Sequence, residues 1–290
     1  MGGPLSRFWA GRLRACLGQG HRLAMACAAA LLLPVQADTP RALLGPSQPS
    51  AALPAESARA AADAGHAALR SSDIHPALRS TEASLVLRAQ EAQQCLPGEL
   101  MTWGDGDDRA VARSPLRLIY RHASAPPGFT EAQVLGSVQR AALAWGACGP
   151  GAEVISEAAA SLPPVAGSVP PQVVIVQWSD LGSRGNFGLA NLAQRTLSLG
   201  PAGFAVLAAR NPRHPAQQTL QMVISHEMGH FFGLMAHSRR CVDVMSYYDN
   251  GRGAVCSTRD GGSYKAVAEY RAALPTACDI ARCRALNSPQ

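Results

Sequence analysis

Apolar positions are spread unevenly along the 290 residues. Residues 23–35 form one short apolar run. Residues 38–113 are rich in Ala, Pro, Ser and Arg, and regular patterns set in only after residue 114. Residues 116–122 (LRLIYRH) predict a strand, bounded by Pro115 and by the turn Ala125-Pro126-Pro127-Gly128. Thr130 is placed to cap a helix over residues 131–147, in which Val134, Val138, Ala142 and Trp145 recur at helical spacing. Residues 152–156, 172–178 (QVVIVQW) and 195–199 predict further strands, with residues 182–188 as a loop between the last two. A second helix is expected from after Pro215 to residue 232, with Leu220, Val223 and Ile224 on its apolar face. Beyond Gly233 the chain reads as irregular until a final helix over residues 264–274. Strands and helices mixed in this order predict one α+β domain over residues 114–290.

The apolar run changes the picture of the first third. It follows a stretch containing Arg7, Arg12, Arg14 and Arg22 with no acidic residue, and ends at Val35-Gln36-Ala37. That order predicts a secretory signal over residues 1–37, hence a secreted protein, extracellular or periplasmic. The run is shorter than the roughly 20 residues that cross a bilayer as a helix, so no stable membrane insertion is expected after cleavage. Residues 38–113 lack the material for a packed core and are expected to be a linker or pro-segment, with short helices over residues 56–69 and 84–94 on Ala and Leu content alone. The sequence Gly104-Asp105-Gly106-Asp107-Asp108 lacks the later ligands of an EF-hand loop and reads as a solvated turn.

Charge adds little. The formal net charge is +6, but without residues 1–37 twenty-two basic side chains face twenty acidic ones, so there is no case for nucleic acid as a partner. No oligomer interface is legible. Six cysteines remain after residue 37, an even number that suits disulfides in an oxidising compartment. Of the fifteen connectivities, the local one pairs Cys95 with Cys148, Cys241 with Cys256, and Cys278 with Cys283.

The chemistry is concentrated in HEMGHFFGLMAH, residues 226–237. On a helix, positions i and i+4 lie about 40° apart and one turn up, so His226 and His230 project side by side and can share one Zn²⁺. Glu227 is rotated by about 100° from His226, beside the metal and not on it, where a base for metal-bound water belongs. Gly233 falls where a helix can stop through a left-handed residue and turn the chain back toward the metal. His237 follows that turn as the third ligand, with Asp243 or a water as the alternatives that zinc chemistry allows.

These residues resemble the metzincin metallopeptidases, in particular the bacterial matrixin-like and snapalysin-like secreted enzymes. The family pattern is H-E-x-x-H-x-x-G-x-x-H followed by a methionine turn. His226, Glu227, His230 and Gly233 match, whereas Ala236 stands at the third-ligand position and His237 comes one residue late, which reads as an insertion within residues 234–236. Asp243-Val244-Met245-Ser246-Tyr247 resembles the methionine turn. The resemblance implies a zincin-like fold with a twisted mixed β-sheet, an active-site helix and a mostly irregular C-terminal subdomain. It also implies Zn²⁺ as cofactor, Met245 as a hydrophobic floor under the metal, and Tyr247 as a metal-binding or oxyanion-stabilising residue. Cys95, in a Cys-Leu-Pro context, stands where a cysteine could latch the zinc of a pro-form, as matrixins do with a different motif. An even cysteine count argues for a disulfide instead.

The expected function is a zinc-dependent endopeptidase acting on protein or peptide substrates. Two other classes fit the same residues: a non-catalytic zinc-binding recognition module, and a zinc amidase acting on non-protein amides.

Overall fold

The period-two alternation of the predicted strands becomes the two faces of one sheet. In the computed structural model, which describes residues 76–160, 170–262, 264 and 269–288, five strands pair in the order β2-β1-β3-β5-β4. They are β1 (Leu116–Arg121), β2 (Ala152–Ser156), β3 (Val173–Trp178), β4 (Gly188–Asn191) and β5 (Thr196–Leu199). All neighbours are parallel except β4, which runs antiparallel to β5 and forms an edge of the sheet. Leu118 and Tyr120 of β1 and Val174 and Val176 of β3 enter the main core, whereas Ile119, Val173 and Ile175 cluster on the opposite face.

Two helices cover the main-core face. Helix α2 (Glu131–Gly146) starts at the expected cap: the Thr130 side chain accepts from Gln133 N–H and the Gln133 side chain accepts from Thr130 N–H. Helix α5 (Ala216–Phe231) carries the HEMGH sequence. The two are pinned by fully buried Trp145, whose indole N–H donates to the Ser225 carbonyl at 2.9 Å, and whose ring stacks on Phe232. Sheet and helices thus make a mixed α/β layer structure in which α5 lies beside the edge strand β4.

Four expectations need correction. The final helix, α6, spans Ala277–Asn287 and not residues 264–274. Pro275 keeps the residue before it out of helical geometry, and Thr276 and Asp279 form the reciprocal cap that starts the helix. The loop expected over residues 182–188 begins with a short helix α3 (Asp180–Ser183) and ends at the first residue of β4, too short a strand to show alternation. A helix not foreseen, α4 (Pro201–Arg210), follows β5 with proline in its first turn. Residues 76–113, expected to lack a core, belong to the compact unit Ile74–Gln290. In that stretch α1 (Pro76–Gln93) places buried Glu91 against the Tyr270 hydroxyl at 2.9 Å, and Arg88 donates to the carbonyls of Tyr270 and Arg271. The signal segment over residues 1–37 and the helix expected over residues 56–69 lie outside the described residues. No helix among the described residues is long and apolar enough to cross a membrane.

The cysteines pair as Cys95–Cys278, Cys148–Cys283 and Cys241–Cys256. Only the last matches the local scheme. Cys278 and Cys283 both lie on α6, where five residues of rise separate two Cα atoms by about 7.5 Å along the axis alone, beyond the reach of a disulfide. Each instead ties α6 to a distant part of the chain. A non-reducing peptide map should recover the Cys95 peptide joined to that of Cys278 and the Cys148 peptide joined to that of Cys283. A Cys95–Cys148 link would contradict this fold.

Candidate metal centre

Helix α5 brings His226 and His230 one above the other, and the chain after it returns His237 to complete a triangle. The ring centroids lie 5.3 Å apart for His226 and His230, 5.2 Å for His226 and His237, and 5.2 Å for His230 and His237. One ligand atom from each ring lies within 4.8 Å of the other two. All three rings are oriented through Nδ1. His226 Nδ1 faces the Val244 carbonyl, His230 Nδ1 the Leu234 carbonyl, and His237 Nδ1 the Asp105 carboxylate, each at 2.7 Å. With a carbonyl or carboxylate as the partner, Nδ1 is the nitrogen that carries the proton, and Nε2 is left with its lone pair.

The donor set fits a zinc ion on observations internal to the chain. His237 Nε2 is buried without a hydrogen-bond partner, an arrangement that costs about 1–3 kcal/mol unless something accepts its lone pair. Burial, then the neighbouring His237 and His230, depress His226 far below the ordinary imidazole value; burial, then His237, lower His230 to about 4. Both rings are therefore neutral at physiological pH, the state in which imidazole binds a metal.

The turns that aim the rings are built from specific residues. Helix α5 ends in a Schellman motif: Gly233, at φ 103°, sends its N–H to the His230 carbonyl at 3.2 Å, and Leu234 N–H reaches the Gly229 carbonyl at 3.1 Å. The same turn presents the Leu234 carbonyl to His230. In the turn that carries Met245, Val244 N–H is held by Asp279 Oδ2 at 2.9 Å, which aims the Val244 carbonyl at His226. Met245 is fully buried. A Cβ on Gly229 would lie 2.3 Å from the Met245 sulfur and 2.8 Å from Trp145 Cζ2, so the glycine within HEMGH is the hole into which that turn packs.

Glu227 is half-buried on the β4 side of α5. Its Oε2 accepts from Ala190 N–H at 2.7 Å, and burial raises its pKa to about 7, partly offset by that hydrogen bond. Gly188 keeps the strand this close, since a Cβ there would sit 2.5 Å from Val223 Cγ1 and 2.8 Å from Glu227 Cγ. The Tyr247 ring stacks on His237 with centroids 3.6 Å apart and lies 5.7 Å from His226. Burial, then the Glu227 and Asp105 charges, push its phenol up.

No family model matches the chain, and no curated protein does. Among solved structures there are weak likenesses. One is the GM1-bound form of the ECX AB5 holotoxin, 12% identical over 59% of this chain and 79% of that one, with a TM-score of 0.34. Another is a zinc-dependent peptidase from Methanocorpusculum labreanum, 12% identical over 59% of this chain and 99% of that one, with a TM-score of 0.32.

Two of the sequence-derived candidates are reassigned. Cys95 is bonded to Cys278 and is no latch on the histidines. Asp243 does not face the triad: its carboxylate is taken by Arg240, Ser238 and Thr276. Two residues at the centre were missed. Asp105 and Asp108, read as part of a solvated turn, hydrogen-bond to His237 and to the turn before it. Burial works to raise the pKa of Asp105, but the hydrogen bonds from His237 outweigh it and hold the carboxyl below its ordinary value. Nothing in the local sequence signals this contact, because it spans 132 residues.

Gly233 offers a direct test of how the turn is made. A Cβ there would meet the Arg109 carbonyl oxygen at 2.1 Å in addition to the positive φ. Gly233→Ala should therefore lose at least about 1–3 kcal/mol from backbone strain alone, read as a lower urea midpoint at unchanged m. An unchanged midpoint would contradict the turn described.

Proposed function

We propose that this chain is a secreted zinc-dependent metalloendopeptidase of metzincin type, with His226, His230 and His237 as metal ligands and Glu227 as the catalytic base. The reading rests on the convergence of three imidazoles, each with Nδ1 held by an acceptor, beside a half-buried carboxylate that belongs to the helix carrying two of them. A zinc ion held by these nitrogens would supply Lewis acidity to the scissile carbonyl and acidify a water beside it.

The chain's own groups do the rest. Ala190 N–H fixes one oxygen of Glu227, leaving Oε1 to take the proton of the attacking water and deliver it to the departing amine nitrogen. Tyr247, with its ring against His237, is the hydroxyl assigned to the carbonyl oxygen as negative charge develops there. Met245, buried under the helix, is a packing residue and not a ligand. A peptide is favoured over other amides by the edge strand β4, whose outer flank pairs with no strand among the described residues. An extended backbone adding to that flank would run past Glu227.

The test uses the full chain. It should bind one zinc, cleave an unstructured protein such as casein, lose that activity to a chelator and regain it with zinc. Glu227→Gln should keep its zinc and lose about 10²–10⁴-fold in kcat, and Tyr247→Phe should lower kcat with little change in KM. Zinc-loaded protein that cleaves no peptide, or a Glu227→Gln variant as fast as the unaltered chain, would sink the proposal.

A further inference from the structure

The added residue between Gly233 and His237 poses a geometric problem. One residue advances the chain by up to about 3.8 Å, whereas metal–ligand distances tolerate only about 0.2 Å. A third ligand on a longer turn is useful only if something fixes the turn. Residues 101–109 run alongside it: Trp103 N–H donates to the His237 carbonyl at 2.9 Å, Arg239 N–H to the Met101 carbonyl at 2.9 Å, and Arg109 N–H to the Gly233 carbonyl at 3.0 Å. Between those points, two carboxylates take three successive backbone N–H groups. Asp108 Oδ1 accepts from Met235 at 2.8 Å and Ala236 at 2.9 Å, and Asp105 Oδ1 accepts from His237 at 2.8 Å. The other oxygen of Asp105 takes the His237 ring at Nδ1. One carboxylate thus grips both the backbone and the imidazole of a single ligand, whereas His226 and His230 are each held only by a backbone carbonyl.

The gripping segment is fixed in turn. A Cβ on Gly106 would lie 2.7 Å from the Met235 carbonyl oxygen, so glycine there lets the two strands of chain touch. Arg282 of α6 forms a two-armed pair with Asp108, at 2.5 and 2.7 Å, and also donates to the Ala236 carbonyl. Cys278, one turn earlier on α6, is bonded to Cys95.

We propose that Asp105 is the positioning residue of the third metal ligand, and that the Gly104–Asp108 segment compensates for the residue added to the motif. The proposal rests on the metal-site reading above. It makes residues 101–109 part of the metal centre, so a chain starting at residue 114 would lack it.

The experiment measures zinc affinity of the full chain by competition with a chromophoric chelator, together with the visible spectrum of the Co²⁺ form and the urea midpoint of the metal-free form. Asp105→Asn keeps the size of the side chain but cannot accept from both His237 N–H groups. It should weaken zinc binding about 10–100-fold and alter the Co²⁺ bands, with the metal-free midpoint little changed. In a His237→Ala background, the same substitution should weaken zinc binding no further. Affinity within about twofold of the unaltered chain, an equal loss with and without His237, or a metal-free form that unfolds would overturn the proposal. If the unaltered chain takes up no zinc, and His226→Ala and His237→Ala change nothing, the metal-site reading itself has failed and this proposal goes with it.

Discussion

An imidazole lends Nε2 to a metal only when its proton sits on Nδ1, and that requires an acceptor at the right place behind each ring. His226, His230 and His237 each have such an acceptor, and the three come from separate parts of the chain. The Leu234 carbonyl stands behind His230 because Gly233 ends helix α5 through a left-handed residue. The Val244 carbonyl stands behind His226 because Asp279 holds the N–H of the same residue and Met245 is sunk beside Gly229. The Asp105 carboxylate stands behind His237 because the chain ahead of β1 is laid along the turn. The helix supplies two rings at fixed spacing; the loops around it decide which nitrogen each presents.

That division explains what was legible in the sequence. Helix α5, with His226, Glu227 and His230, follows from local rules of spacing and rotation. Gly233 is legible for the same reason, since a helix end is a local event. The strands at β1, β2, β3 and β5 were visible as short β-rich runs, and the cap at Thr130 as a polar residue ahead of a periodic segment. The edge strand β4 was not, because four residues cannot display a period and its fit depends on Gly188 lying against Val223 and Glu227.

The larger misses were long-range. Composition marked residues 76–113 as poor in core-forming side chains, and so they are, but polar side chains and a disulfide bind them to the domain. Arg88, Glu91, Asp105 and Asp108 all find partners well over a hundred residues away. The cysteines misled for the same reason: proximity along the chain suggested Cys278 with Cys283, while helix geometry forbids it and each reaches elsewhere. Helix α6 emerges as the common anchor, carrying Asp279 to Val244, Arg282 to Asp108, and both cysteines.

X-ray absorption at the zinc edge of the purified, zinc-loaded protein reads the proposed ligands of the metal ion themselves. The expected result is one zinc per chain with three imidazole nitrogens at about 2.0–2.1 Å and a light-atom fourth neighbour. A first shell containing sulfur at about 2.3 Å, or one with fewer than three imidazoles, would contradict it.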